Sequence, residues 1–157
     1  PKDNFDINSS HVMASFIRKF YEAKMKGFEK VICWGTGEPL REFLFVEDLA
    51  EACIFALEHW FPNKKESPKD GNGKPLTWLN IGSNHEIKIK DLAEKISKIV
   101  DYQGEIVWDR KKPDGTPRKK LDCTKINNLG WYSKTDLNTG INISLEYFKN
   151  QKIKNLF

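Results

Sequence analysis

The chain has little cysteine and no long hydrophobic run. Its three cysteines, Cys33, Cys53 and Cys123, are odd in number, widely spaced and without a CxxC pair, so the sequence predicts neither a disulfide framework nor a zinc site. A reducing cytosol is the expected compartment. No apolar run approaches the length of a membrane span, and the opening residues PKDNFDINSS lack the apolar core of a signal peptide. These absences predict a cytoplasmic protein with no metal and no membrane partner.

The usual motifs of self-contained catalysis are also absent. Gly35 and Gly37 are followed by Leu40 where the dinucleotide motif GxGxxG requires glycine, and no GK[ST] of a P-loop occurs. There is no GxSxG nucleophile elbow and no HExxH zinc motif, and the three histidines share no metal-ligand spacing. The sequence therefore predicts that this chain alone does not carry out hydride transfer.

A strongly basic balance is missing as well. The 157 residues carry 26 basic and 22 acidic side chains, a net charge of +4, and a mean hydropathy of -0.61. This length predicts one domain, and the mild charge suits a local anion site better than a nucleic-acid groove. Nucleic-acid binding through the run from Arg110 to Lys120 remains an alternative, although Trp108 is its single nearby stacking platform.

Apolar residues near the start recur at helical spacing and predict a helix that ends at Gly27. They are Val12, Met13, Phe16, Ile17 and Phe20. Ser9 or Ser10 is the expected N-cap. Along the edge of this apolar stripe, His11, Ser15 and Lys19 form one ridge over roughly 12 Å. Such a ridge can bind a ligand with several groups, and the alternative is an exposed first turn with a lysine stem lying over apolar surface.

The stretch WGTGEPLREFLFVEDLA places a tryptophan and an arginine at the two ends of one short loop. A strand over Lys30–Trp34 is expected before the loop, and a second strand over Arg41–Val46 after it. Such a loop can hold an aromatic surface close to a bound anion. We therefore treat Trp34 and Arg41 as candidate ligand contacts.

The remaining pattern predicts an α/β arrangement with a flexible insertion loop at about residues 61–76. The expected elements are a helix marked by Leu49 to Trp60, a strand over Thr77–Ile81, a helix ending near Val100, a strand over Glu105–Trp108, a short helix capped by Asp122 and ending near Gly130, and a final helix from Leu137. In the basic loop DRKKPDGTPRKK, a tight turn at residues 113–115 would fix Asp114 beside Arg118 and Lys119. The alternative is a solvated charged loop.

Four segments together carry a family resemblance: DNF and SSHV near the start, WGTGxPxREFL, and KPDGTPRK. They resemble the C-terminal part of the GDP-L-fucose synthases, extended short-chain dehydrogenases/reductases that epimerise and reduce a GDP-linked 4-keto-6-deoxy sugar. The resemblance runs from Pro1 to about Gln151 and covers the second half of the family's length. It implies a substrate-binding C-terminal domain over residues 1–157, with short mixed strands, four to five helices and most of the Rossmann core missing.

The same resemblance identifies family parts that this sequence lacks. None of the four tyrosines has a lysine four residues later, so the YxxxK pair of short-chain dehydrogenases is absent. The cofactor loop, the catalytic serine, tyrosine and lysine, and the cysteine base are expected upstream of Pro1. Because several strands would add to a sheet that lies there, we expect uncovered apolar surface and association of the isolated chain.

The resemblance also implies roles for named residues. His11, in NSSHV, stands where the family has the acid of epimerisation, which lies beside the nicotinamide of NADP(H). Imidazole suits that role because it exchanges a proton near neutral pH. Lys19, Trp34 and Arg41 match the family's GDP contacts, and Asp114 and Lys119 match its last substrate contacts.

The implied function is 3,5-epimerisation and NADPH-dependent 4-reduction of a GDP-4-keto-6-deoxy sugar by the complete enzyme, which is expected to be a homodimer. Another nucleotide-sugar epimerase, dehydratase or reductase is the alternative within enzymes. A non-catalytic module that binds a nucleotide sugar is the alternative from another class.

Overall fold

In the computed structural model, which describes residues 2–154, the chain is an α/β protein with five helices and five short strands in that part. In chain order the elements are α1 (Val12–Lys26), β1 (Lys30–Trp34), β2 (Leu40–Glu42), α2 (Val46–His59), β3 (Glu86–Lys88), α3 (Ile89–Val100), β4 (Glu105–Asp109), β5 (Arg118–Lys119), α4 (Thr124–Leu129) and α5 (Leu137–Lys154). Five helices agree with the four to five expected. None of the helices within the described range is long and apolar enough to cross a membrane.

The chain folds into two compact units. Of the described residues, the first unit comprises 2–41, 87–118 and 137–154, and the second comprises 42–86 and 119–136. Strands β3, β2 and β5 form a three-stranded sheet in that order. The expected single domain over residues 1–157, which includes residues outside the described range, stays a prediction.

The first unit is built from α1, α3 and α5 together with a parallel pair of strands. Strand β1 pairs with β4 in the register Lys30↔Glu105 to Trp34↔Asp109. The buried core of this unit consists of Phe16, Ile17 and Phe20 from α1, Leu92, Ile96 and Val100 from α3, and Ile141, Leu145 and Phe148 from α5. Each such side chain stabilises the fold by roughly 1.5–3 kcal/mol through burial. The apolar spacing that predicted these helices therefore marks their buried faces.

Helix α1 ends at the predicted residue, but its N-cap residue differs from the prediction. Gly27 terminates the helix at φ 66°, and its backbone N–H bonds back to the last turn. His11 occupies the N-cap position without a side-chain capping bond, so the expectation of Ser9 or Ser10 is wrong. The Ser9 hydroxyl donates to Asp6 Oδ1 at 3.0 Å instead of capping the helix.

The second unit packs α2 against α4 around a small cluster. Ala52, Cys123, Ile126 and Trp131 form its buried centre, and Leu44, Phe55, Leu79 and Ile81 pack around it. The carboxylate of Glu42 accepts bonds from the backbone N–H groups of Asn84 at 2.6 Å and Leu121 at 3.0 Å. One carboxylate therefore holds two irregular segments of this unit together.

Two strands predicted from the sequence differ in the structure of this unit. Strand β2 ends at Glu42 rather than Val46, because Phe45 is the N-cap of α2 and Val46 already begins that helix. Residues 77–81 form no strand, and Leu79 and Ile81 pack on the apolar cluster instead. The apolar side chains of this run are buried although the run is not in a sheet. That burial explains why its sequence has the apolar pattern of a strand.

The region of the predicted insertion loop, residues 61–76, consists of turns and one isolated bridge between Lys69 and Pro75. Asp70 Oδ1 accepts from the backbone N–H groups of Asn72 at 2.8 Å and Lys74 at 2.9 Å, which shapes the loop tip. Leu76 is buried at the end of the loop. The loop is irregular as expected, and its flexibility stays a prediction.

Candidate functional site

Helix α1 carries two of the predicted site residues. His11 is exposed at the helix start, and Lys19 lies two turns further along, half-buried. Lys19 Nζ donates a hydrogen bond of 3.1 Å to the backbone oxygen of Ile32 in β1. This bond fixes the lysine stem across the first unit, so its ammonium group reaches the strand that ends at Trp34.

The indole of Trp34 is the exposed centre of this surface. Trp34 is the last residue of β1, and 64% of the surface of this residue is exposed. The Lys19 ammonium lies 5.8 Å from the ring centroid, and the Lys112 ammonium lies 5.1 Å from it. Both distances are those of cation–π contacts. The structure therefore brings Lys19 and Trp34 together and adds Lys112, which the sequence did not single out.

Hydrogen bonds tie the loop after Trp34 to the loop that contains Asp114. Gly35 N–H donates to Asp109 O at 3.0 Å, and Leu40 N–H donates to Pro117 O at 2.9 Å. Between these bonds, Thr36 donates from its backbone to Asp114 Oδ1 at 2.6 Å and from its hydroxyl to Asp114 Oδ2 at 2.7 Å. The two loops of the first unit therefore form one framework.

Asp114 is held by Thr36 rather than by a turn of its own. The turn in this segment lies at residues 110–111, so the expected turn at 113–115 is wrong, although the expected fixing of Asp114 is observed. The side-chain hydrogen bond from Thr36, followed by the backbone bond from the same residue, lowers the pKa of Asp114. The Gly37 backbone N–H lowers this pKa further, and the carboxylate is ionised at neutral pH.

Glu38 neutralises two other lysines beside this framework. Its carboxylate accepts from Lys88 at 2.8 Å and from Lys90 at 2.6 Å. These two hydrogen bonds lower the pKa of Glu38 to about 2, and the Glu38 hydrogen bond raises the pKa of Lys90. Sequence reasoning missed this cluster, because Lys88 and Lys90 lie 50 and 52 positions from Glu38.

Arg41 and Lys119 occupy different units. Arg41, in the first unit, is half-buried, and its Nη1 donates to Leu40 O at 2.7 Å. Its Nη2 lies 3.8 Å from the position that a Cβ would take at Gly115, so the guanidinium is next to the loop of Asp114. Lys119 lies exposed in the second unit, in β5. The described contacts thus connect Lys19, Trp34, Asp114 and Arg41 to one framework.

The GTG turn is filled by side chains of the chain itself. A Cβ at Gly35 would collide with the Asp114 carboxylate, and one at Gly37 would lie 2.8 Å from both Lys90 Cβ and Trp108 Cη2. Both glycines have positive φ, at 80° and 76°. Neither glycine therefore leaves free space beside the backbone of this turn for a bound phosphate.

The cysteines show no arrangement for catalysis or metal binding in the described part of the chain. Cys33 is buried, and its burial raises the thiol pKa to about 11. Burial also raises the pKa of Cys123, and Cys53 is an exposed free thiol. Within residues 2–154, no group of three or more histidine, cysteine, aspartate or glutamate side chains is placed to hold a metal ion.

Comparisons with known proteins agree with this fold. Residues 1–70 match the model of the NAD dependent epimerase/dehydratase family. GDP-L-fucose synthase 1 of Arabidopsis thaliana is 44% identical over 148 residues, which cover 94% of this chain and 42% of that protein. GDP-L-fucose synthase of Escherichia coli is 40% identical over 152 residues, which cover 94% of this chain and 45% of that enzyme.

A solved structure shows the same architecture. A GDP-mannoheptose C4 reductase from Campylobacter jejuni with NADP bound matches with a TM-score of 0.76 at 28% sequence identity, over 94% of this chain and 49% of the reductase. The chain therefore has the fold of the C-terminal part of an extended short-chain dehydrogenase/reductase.

Within that class, the chain is similar in sequence to proteins named GDP-L-fucose synthase. It spans less than half the length of the two curated relatives, 42% and 45%. The family resemblance of the four sequence segments is confirmed.

Proposed function

We propose that this chain forms the GDP-sugar-binding part of a GDP-L-fucose synthase-like enzyme. The observation that carries the proposal is the contact of the Lys19 ammonium with the exposed Trp34 ring, 5.8 Å from its centroid. The ring is followed directly by the loop that holds Asp114 through Thr36. A cation, an aromatic surface and an ionised carboxylate on one framework suit a ligand that has phosphates, a base and sugar hydroxyls.

The four framework residues have distinct proposed roles. Lys19 and Arg41 offset the charge of the diphosphate, Lys19 as a point charge and Arg41 through its fork of donors. Trp34 supplies apolar surface to the nucleotide or sugar. Asp114 accepts from hydroxyl or amino groups of ribose or guanine through its ionised carboxylate. Lys119 stays a proposed substrate contact on the strength of the family resemblance.

His11 is the proposed proton donor of epimerisation and a neighbour of the cofactor. It is exposed at the start of α1, and its side chain makes no capping bond there, so the imidazole is available to a ligand. For the complete enzyme we propose 3,5-epimerisation and 4-reduction of GDP-4-keto-6-deoxy-mannose to GDP-L-fucose, with NADP(H) supplying the hydride. Because side chains of the chain itself cover Gly35 and Gly37, we propose no other cofactor contact in this chain.

The proposed partners follow from the same assignment. The partner is a GDP-sugar, and the complete enzyme is proposed to be a cytoplasmic homodimer with no nucleic-acid, membrane or metal partner. The curated relatives are named GDP-L-fucose synthases, which supports the choice of guanosine over other nucleotides.

Isothermal titration calorimetry on the chain with GDP, UDP and dTDP tests the binding part of the proposal. We expect GDP to bind more tightly than UDP and dTDP, and Arg41→Ala to weaken GDP binding about tenfold, as loss of a charge-assisted contact does. Lys111→Ala is the matched control, because it also removes one positive charge, at an exposed position of the first unit. Equal affinity for the three nucleotides, or no binding of GDP, would contradict the proposal.

A second candidate is a GDP-sugar 4-reductase that does not epimerise. The structural match to the GDP-mannoheptose C4 reductase favours it. A turnover assay on the longest natural form of the protein, with NADPH and GDP-4-keto-6-deoxy-mannose in deuterium oxide, separates the two. Deuterium at carbons 3 and 5 of the product indicates epimerisation, and its absence indicates reduction alone. GDP binding without any turnover by that form would indicate the non-catalytic module.

A further inference from the structure

The Trp34 ring is approached by two ammonium groups from different parts of the chain. Lys19 comes from α1, and Lys112 comes from the loop after β4. Their Nζ atoms lie 5.8 Å and 5.1 Å from the ring centroid. Neither the sequence pattern nor the family resemblance assigns a role to Lys112, although it lies closer to the ring than Lys19.

The position of Lys112 is set by backbone bonds on both sides. Its own N–H donates to Asp109 O at 3.1 Å, and the same oxygen accepts from Gly35 N–H at 3.0 Å. Two residues further on, Asp114 is held by Thr36. Lys112 therefore lies between two attachments to the loop that follows Trp34, and the fold itself brings its stem beside the indole.

The charges at this ring are not balanced by the protein. Among residues 2–154, no carboxylate forms an ion pair with Lys19 or Lys112. Lys88 and Lys90 differ, because they share the carboxylate of Glu38. Two ammonium groups at one ring repel each other, and the electron-rich ring offsets only part of that repulsion. A ligand with two adjacent negative groups offsets it far better than a ligand with one.

Resting on the proposed function, we propose that Lys112 is a second phosphate-binding lysine of this site. Lys19 and Lys112 flank the Trp34 indole and bind the diphosphate of the nucleotide sugar between them. Lys112 then determines a preference for nucleoside diphosphates over monophosphates. Lysine suits this role because its ammonium binds phosphate as a compact point charge.

Calorimetric titrations of the full chain with GDP and with GMP test the assignment. Wild-type protein is compared with Lys112→Ala, Lys112→Arg and Lys111→Ala. Lys111 is the matched control, because it is the neighbouring exposed lysine and its loss changes the net charge equally. We expect Lys112→Ala to weaken GDP binding about fivefold and to reduce the ratio of GDP to GMP affinity. We expect Lys112→Arg to retain most of both, and Lys111→Ala to stay within about twofold of wild type.

Each other result overturns the inference. Equal loss of GDP affinity in Lys112→Ala and Lys111→Ala means that Lys112 acts only through net charge, and the proposed function then stands. Equal loss of GDP and GMP affinity in Lys112→Ala means that the lysine does not bind the second phosphate. If the wild-type chain binds neither nucleotide, both the proposed function and the role of Lys112 are wrong.

Discussion

Single residues of the candidate site depend on partners that are distant in sequence. Thr36 and Asp114 lie 78 positions apart, yet both Thr36 donors bond to the Asp114 carboxylate. These bonds lower the pKa of Asp114. The stability they contribute is present above the ordinary pKa of an aspartate, and it is lost as the pH falls through the lower value in the folded protein.

Replacing Thr36 tests this pair directly. Thr36→Ala removes the hydroxyl donor, so we expect the pKa of Asp114 to rise toward its ordinary value and GDP binding to weaken several-fold. Thr36→Ser keeps the donor and is the control, with a pKa of Asp114 close to that of wild type. Carboxyl chemical shifts followed by NMR during an acid titration measure the pKa. An unchanged Asp114 titration in Thr36→Ala would show that the hydroxyl bond is unimportant.

The Glu38 cluster predicts a pH dependence of stability. The pKa of Glu38 is lowered from its ordinary value of 4.5 to about 2, because Lys88 and Lys90 donate to the carboxylate. A lowered pKa contributes stability above about pH 4.5 and loses it as the pH falls toward 2. We expect Glu38→Gln to lower the melting temperature slightly at pH 7, since exposed pairs are screened by solvent, and to have less effect near pH 3.

Glu58→Gln provides the control for that measurement. Glu58 is exposed, and within the described residues the structure shows it in no ion pair. Thermal unfolding followed by circular dichroism at both pH values compares the two variants with wild type. Equal effects of the two substitutions, or an effect of Glu38→Gln that grows toward pH 3, would contradict the assigned role of the lysine pair.

Candidate site residues in or near family motifs were predictable from the sequence, whereas the residues that contact them were not. Trp34 and Arg41 stand in a segment with a recognisable family pattern, and Lys19 lies on the helix that begins after another. The contacts of Thr36 and Lys112 form only where the loops after β1 and β4 meet, and those of Glu38 only where the loop after β1 meets β3 and α3. Sequence spacing carries no signal for such a meeting, because the partners lie far apart along the chain.

At the scale of secondary-structure elements, helices were easier to predict than short strands. The spacing of Phe16, Phe20 and their neighbours predicted α1 because one face of a helix must be apolar to be buried. Strand β2 has three residues, too few for an alternating pattern. Its predicted continuation to Val46 failed because the same apolar residues also suit the start of α2.

The turn between β1 and β2 requires glycine at position 37. Gly37 has φ 76°, and a Cβ there would lie 2.8 Å from Lys90 Cβ and Trp108 Cη2. Gly27 has φ 66° with open space around it. Gly27→Ala is therefore expected to cost about 1–2 kcal/mol for the left-handed conformation alone. Gly37→Ala is expected to cost at least about 1 kcal/mol more, because the added methyl group is overpacked.

Urea unfolding of both glycine variants measures this difference as a change in the free energy of unfolding. Gly27→Ala is the matched control, because the residue change and the sign of φ are the same. Equal destabilisation by the two variants would show that the turn adjusts to a side chain at position 37. The close packing of Gly37 against Trp108 would then be of little structural importance.

At the scale of the whole molecule, the described chain exposes apolar side chains that a protein of this size would normally cover. In α2, Val46, Leu49, Ile54 and Leu57 are 51%, 42%, 57% and 81% exposed. At 100° per residue they lie within an arc of about 140° on one side of the helix. Contiguous exposed apolar surface promotes association. The sequence predicted such a surface in general terms and could not locate it, because its apolar stripe resembles that of a buried helix.

Association through this face is testable by one charged substitution. We expect the wild-type chain to show a sedimentation coefficient that rises with protein concentration, and Leu57→Lys to reduce that rise, because an ammonium group in an apolar contact carries a large desolvation cost. Asn72→Lys, at an exposed loop position of the same unit, adds the same charge away from the helix. A wild-type chain that stays monomeric at every concentration would disprove association, and equal effects of the two lysines would assign it to net charge instead of the apolar face of α2.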